Sequence, residues 1–187
     1  MIFNETKLKG VWVITLEPRG DDRGFFVRNF AKEEFEKVGI NYEIVHINRS
    51  FNKTKGTTRG FHYQLEPKGE DKILQCLSGK IYDVVIDLRK DSPTYGQSTS
   101  VVLDSEKQNM ILCPKGCTNA IQTLEDNCVL QYFVSAGYSP EHERGIRWND
   151  PYFNIEWPIK EPAVISEKDA NWPLIDKDGL PTSGYTL

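Results

Sequence analysis

The chain has 187 residues, of which 39% are hydrophobic and 27% charged, with a formal net charge of -4. That length suits one domain with a core large enough to fold without staples, and an acidic balance with no basic run argues against a nucleic-acid footprint. No apolar stretch approaches the ~20 residues of a membrane helix, and the opening MIFNETKLKG lacks the layout of an export signal, so a cytoplasmic protein without membrane contact is expected.

Taken in chain order, most segments read as strands. "GVWVITLEP" (10–18) and "GFFVRNF" (24–30) come first, followed by one helix, "AKEEFEKVG" (31–39), with Phe35 and Val38 inward and Gly39 as its stop. Strand patterns resume at "EIVHINRSF" (43–51), "TTRGFHYQL" (57–65) and "DKILQCLSGKIYDVVIDL" (71–88), where Ser78-Gly79 reads as a hairpin turn. They continue through "STSVVLD" (98–104), "NMILCP" (109–114), "AIQTL" (120–124) and "NCVLQYFVSAG" (127–137). These runs carry β-branched or aromatic residues bounded by Gly, Pro, Asn or Asp. The last third is rich in Pro and Trp and predicts short helical turns packed on the main body. Regular spacing of strands and turns points to a mainly β fold, a jelly-roll sandwich or barrel with a few short helices. With no repeat, low-complexity tract or linker, residues 1–187 are expected to form one domain, with 150–187 as its packing extension.

Cys76, Cys113, Cys117 and Cys128 form no C-x-x-C pair, and buried free thiols are expected. His62 is one of only three histidines. It stands at the first histidine position of the motif that metal-bound cupins carry, but Gln64 stands at the second. "PKGCTN" (114–119) supplies Pro114 and Gly116 of the return strand, with Asn119 at the last histidine position. A lone imidazole among amides is a poor ligand set. The sequence therefore resembles a cupin-type jelly roll with no metal and no cofactor.

Such a barrel encloses a small-molecule pocket. In a regular strand Thr58, Gly60, His62 and Gln64 share one face and Arg59 points away. A bulge at Gly60 would bring Arg59 and His62 together. Lys72, among apolar neighbours, is either an edge gatekeeper or a buried cation. Asp83 and Asp87 lie between Val and Ile, a setting in which an acid needs a fixed partner. Tyr132 alone reads as core packing.

Together these segments resemble dTDP-4-dehydrorhamnose 3,5-epimerase and related nucleotide-4-keto-sugar epimerases. The resemblance runs from about Val13 to Leu174 and is carried by "DDRGFF" (21–26), "INRSF" (47–51), "TTRGFHYQ" (57–64), "DKILQCLSGKIYDVVIDLRKDSPTYG" (71–96), "CPKG" (113–116), "YSPEHERGIRWNDP" (138–151) and "ISEKDANWPL" (165–174). It implies a metal-free jelly roll, a homodimer, and inversion at C3, C5 or both beside a C4 ketone. His62 matches the base, Asp169 the carboxylate that orients it, Lys72 the cation near the carbonyl oxygen, and Tyr132 the phenol on the opposite face. Tyr138 matches the aromatic that stacks on the nucleotide base, and Arg59 a pyrophosphate ligand. Arg23 and Phe26 match a segment exchanged between subunits, and Glu143 and Lys168 match contacts to the base or phosphates. Asn48 and Gln64 complete the expected substrate shell.

Three residues depart from the family pattern: Asn119 for histidine, His46 for glutamine and Arg28 for glutamate. All three are expected in the nucleotide and phosphate shell, away from the proton-transfer set. The default substrate is a dTDP-linked 4-keto-6-deoxyhexose used in surface-polysaccharide biosynthesis. A GDP-4-keto-heptose is the rival, and a non-catalytic sugar-nucleotide-binding cupin is the alternative from another class.

Overall fold

The computed structural model describes residues 1–175, 179 and 181–186. Residues 176–178, 180 and 187, part of the expected extension, lie outside the described residues. Two antiparallel sheets face each other. The first comprises β1 (Ile2–Glu5), β2 (Trp12–Thr15), β10 (Asn109–Cys113), β7 (Lys72–Ser78), β12 (Cys128–Val134) and β5 (His46–Asn52), in that spatial order. The second comprises β13 (Glu143–Gly145), β6 (Thr58–Gln64), β11 (Cys117–Thr123), β8 (Lys80–Asp87) and β9 (Ser98–Asp104). A separate two-stranded ribbon pairs β3 (Arg19–Asp21) with β4 (Gly24–Phe26). This is the expected cupin-type jelly roll.

Period-2 alternation builds the layers. Inward residues of both sheets, including Leu74, Ile81, Val85, Ile111, Ile121 and Leu130, form the central core. The helix α1 (Lys32–Lys37) buries Phe35 on the outer face of the first sheet, beside Ile14, Ile73 and Phe133. The outer face of the second sheet packs Phe61, Tyr63, Val84 and Ile86 against Trp148 and Trp157 from the C-terminal segment. All four cysteines are free and buried. Asp87 takes its fixed partner, Arg89, at 2.8 Å.

Ser78-Gly79 is not a hairpin turn. β7 pairs with β10 and β12, whereas β8 pairs with β11 and β9. Leu74 and Cys76 face Ile81 and Val85 across the core, so the chain crosses there between sheets. A hairpin ladder would have placed both apolar sets on one surface. The "GFFVRNF" segment also departs from expectation: only Gly24–Phe26 is strand. Val27 and Phe30 instead turn onto the cluster around α1.

Candidate active site

The central core does not fill the whole space between the sheets. At one end a cavity of about 550 Å³ opens, with Leu74, Ile121 and Leu130 belonging to both its wall and the core. Its size is that of a small-molecule site.

β6 reaches this cavity with an altered parity. Asn119 of β11 lies opposite His62, but the next residue, Ala120, lies opposite Gly60, so Phe61 is skipped on the β11 side and bonds instead to Ile146 on the other. Gly60 has φ +102°, and a Cβ there would stand 2.6 Å from the Asn119 carbonyl oxygen and 2.8 Å from Ala120 Cα. Only glycine fits this approach. The bulge sends Phe61 and Tyr63 to the outer core while Arg59 and His62 both line the cavity. The parity break expected at Gly60 is present.

His62 Nε2 lies 2.5 Å from Asp169 Oδ1. Asp169 sits in α2 (Glu167–Ala170), a single turn whose N-cap, Ser166, accepts from the Asp169 amide at 3.1 Å. Its second oxygen accepts from Gly60 N at 3.2 Å, so the bulge glycine holds the carboxylate that holds the histidine. Burial pushes the Asp169 carboxyl up, but the His62 bond and charge, the Gly60 amide and Ser166 together hold it below the usual carboxylate range.

The opposite sheet supplies the remaining groups. Lys72 lies on β7, a central strand, with its side chain 14% exposed. The buried-cation reading therefore holds and the edge reading falls. Its Nζ donates to the His62 carbonyl at 3.1 Å and lies 3.4 Å from Glu70 Oε1. Tyr132 projects from β12 between Leu130 and Val134, packing on the core and lining the cavity at once. His46 and Asn48 line the same wall from β5. Across the cavity, Arg59 donates through Nε to Asn52 Oδ1 at 2.7 Å, which fixes its direction.

At the mouth, Glu143 Oε2 accepts from Tyr138 Oη at 2.6 Å and Lys168 Nζ at 2.5 Å. Burial raises the Glu143 carboxyl, but these two bonds and the Lys168 charge hold it low. Lys168 Nζ also lies 5.6 Å from the Trp172 ring centroid. Trp172 packs so tightly on Gly145 that a Cβ there would stand 2.1 Å from the indole. This contact anchors the segment carrying Lys168 and Asp169.

Several expectations need amendment. Gln64 lines the cavity, but its amide donates to the Lys68 and Gly137 carbonyls at 2.8 and 3.2 Å and its oxygen accepts from Ser139 N. It braces the Tyr138 loop, with both ends engaged. Asn119 lines the cavity and lies opposite His62 in the ladder, so its position adjoins the proton-transfer set as well as Arg59. Arg23 and Phe26, expected to serve a neighbouring subunit, do not line the cavity of their own chain, and neither does Arg28. Arg23 pairs with Asp21 at 2.6 Å, and the Phe26 side chain is exposed on the ribbon. Sequence reasoning missed Asn52, Glu70 and Ser166. Only Ser166 carried a signal, since "SEKD" is a helix-start pattern. Among the described residues no group of three or more His, Cys, Asp and Glu could hold a metal ion, and no helix is long and apolar enough to cross a membrane.

Residues 5–177 match the family described as dTDP-4-dehydrorhamnose 3,5-epimerase. The chain is 41% identical over 162 residues to the dTDP-4-dehydrorhamnose 3,5-epimerase of Shigella flexneri, covering 85% of this chain and 88% of that one. Among solved structures it resembles the Bacillus anthracis dTDP-4-dehydrorhamnose 3,5-epimerase with TDP and PPi bound, with TM-score 0.90, 37% identity, and coverage of 93% of this chain and 99% of that one. It also resembles the Legionella pneumophila dTDP-6-deoxy-D-glucose-3,5-epimerase in complex with dTDP-4-keto-L-rhamnose, with TM-score 0.88, 34% identity, and coverage of 96% and 97%. These likenesses favour the dTDP-sugar reading over a GDP-heptose and over a non-catalytic binder.

Proposed function

The chain belongs to the dTDP-4-dehydrorhamnose 3,5-epimerase family, and from that premise we propose how its cavity inverts a dTDP-linked 4-keto-6-deoxyhexose. The C4 ketone makes the hydrogens on C3 and C5 acidic, because the carbanion delocalises into an enolate. Inversion then needs a base on one face of the ring, charge stabilisation at the ketone oxygen, and an acid on the other face. The observation that carries this reading is the His62–Asp169 contact in a cavity whose opposite wall holds Tyr132 and Lys72.

In this reading His62 takes the carbon-bound proton. Asp169, itself held by Gly60 and Ser166, orients the ring and stabilises the imidazolium that forms. Lys72 offers a positive charge to the developing enolate oxygen inside a partly dry site, where such a charge is worth most. Tyr132 returns a proton from the far side. Its place on the other sheet supports reprotonation with inversion. Arg59, Asn48 and His46 hold the diphosphate and sugar, and Tyr138, Glu143 and Lys168 hold the base end.

The same reading takes the molecule as a homodimer. Arg23 and Phe26 on the exposed β3–β4 ribbon, with Arg28 just after it, complete the partner's nucleotide site. Exposure of Phe25 at 60% and Phe26 at 67% on so short a ribbon supports a buried destination elsewhere. Residues 1–187 act as one domain, located in the cytoplasm with its charged, soluble substrate.

The test is solvent deuterium incorporation. With dTDP-4-keto-6-deoxyglucose in D₂O, deuterium should enter C3, C5 or both, and faster than with the GDP- or CDP-linked counterparts. Equal or faster exchange with a GDP-linked sugar would overturn the choice of nucleotide. Absence of exchange with every sugar would overturn the enzyme reading.

A further inference from the structure

Beneath the wall of the cavity lies a carboxyl group that the proton-transfer scheme leaves unused. Asp83, on β8, is fully buried. It shares the inward face of β8 with the core residues Ile81 and Val85. Its Oδ2 accepts from Asn119 Nδ2 at 3.0 Å, and its Oδ1 has no partner. Asn119 is 8% exposed and lines the cavity.

An amide has two ends of opposite character. A carboxylate can only accept, so an ionised Asp83 binds the NH₂ end and turns the carbonyl end the other way. Asn119 Oδ1 accepts no hydrogen bond from any described residue. The amide therefore offers the cavity an acceptor, which suits a hydroxyl and repels an anionic oxygen.

Position narrows the choice of hydroxyl. Asn119 pairs with His62 in the ladder, and Ile121, two residues along on the same face, pairs with Arg59. Asn119 thus stands beside the proposed base, on the side toward the proposed diphosphate ligand. In a 4-keto-6-deoxyhexose, the carbon between the phosphate-bearing C1 and the acidic C3 is C2.

We propose that Asp83 is a positioning residue that fixes the Asn119 carboxamide as a selective acceptor for the hydroxyl on C2 of the substrate sugar. The assignment rests on the epimerase reading and extends it to substrate specificity. Burial raises the Asp83 carboxyl to about 7, opposed by the Asn119 bond and the Lys72 charge. The charged and titratable groups facing it are Lys72 from β7 and Cys113 from β10, whose thiol burial keeps neutral. Orientation is therefore strictest above pH 7, where Asp83 is ionised. At lower pH a protonated Asp83 can donate to Asn119 Oδ1, letting the amide turn over.

The test reads binding, so it stands apart from turnover. Calorimetry at pH 8.5 compares a dTDP-hexose bearing a C2 hydroxyl with its 2-deoxy-2-fluoro analogue, which cannot donate. One hydrogen bond corresponds to about fivefold to tenfold in affinity, and the wild type should prefer the hydroxyl by that factor. Asn119→Leu should erase the preference. Asp83→Asn should shrink it to about twofold, because an amide partner tolerates either orientation of Asn119. Equal wild-type affinity for the two ligands, a comparison that needs no variant, would overturn the proposal. An unchanged preference in Asp83→Asn would remove Asp83 from it. Deuterium exchange run alongside with the 4-keto sugar reports on the epimerase reading separately: absent exchange with intact hydroxyl discrimination would sink only that reading.

Discussion

His62 and Asp169 are 107 residues apart in the chain, yet His62 Nε2 and Asp169 Oδ1 lie 2.5 Å apart. The contact joins the bulged strand of one sheet to a single helical turn in the C-terminal segment. Asp169 also takes the Gly60 amide, so bulge, base and carboxylate form one unit.

Removing the charge while keeping the shape tests that unit. Asp169→Asn should lower kcat by about 10²–10³, within the range of general acid–base effects, with a smaller change in KM. Because the folded-state carboxyl is held low, its stabilising contribution is present at neutral pH and fades as pH falls through that low value. The variant should therefore lose stability relative to wild type at pH 7 and approach it in strong acid. Thermal melts across pH measure this.

Tyr132→Phe separates the two faces of the ring. Deuterium should still wash into the substrate through His62, while formation of inverted product falls by about 10²-fold or more. Comparing isotope content with product stereochemistry reads both steps, and parallel loss of the two would remove Tyr132 from the acid role.

Gly60→Ala strikes the bulge itself. A methyl group 2.6 Å from a backbone carbonyl at φ +102° has nowhere to go without moving β11. A loss of about 2–4 kcal/mol in denaturant unfolding is expected, together with weaker dTDP binding through displaced Arg59. A variant with wild-type stability and activity would contradict this account of the parity break.

Asp83 supplies a prediction of opposite sign to that for Asp169. Its folded carboxyl is raised to about 7, so the native state holds its proton more tightly than the unfolded chain. Stability from this group is fully present below the unfolded value near 4 and is lost as pH rises through 7. Asp83→Asn should thus stabilise the protein at pH 8.5 by on the order of 1–3 kcal/mol, with the gain vanishing near pH 4. Urea midpoints at the two pH values are the measurement.

Much of this fold was legible because alternation and turn residues are local signals. The β9 range was read to the residue, and α1 was recognised from Phe35 and its Gly39 stop. The Ser78-Gly79 crossing was not legible, since a turn between two apolar strands looks the same whether they pair or face each other across a core. β13 was missed because three residues, Glu143–Gly145, carry no periodicity. In the site, His62 and the Gly60 bulge could be argued from strand parity alone. Asp169 could not, because an acid in a one-turn helix carries no sign of the histidine 107 residues upstream. Glu70 and Asn52 escaped for the same reason: their meaning comes from contacts with Lys72 and Arg59 that only the folded chain makes.

The central claim, that His62 removes a carbon-bound proton beside the ketone, is tested most directly by His62→Asn in D₂O. NMR would follow deuterium at C3 and C5 of dTDP-4-keto-6-deoxyglucose, with dTDP binding as the check that the cavity survives. Exchange should fall at least a thousandfold, of the order expected for a lost general base, while dTDP affinity stays within about threefold of wild type. Exchange at the wild-type rate in a variant that binds dTDP normally would contradict the account.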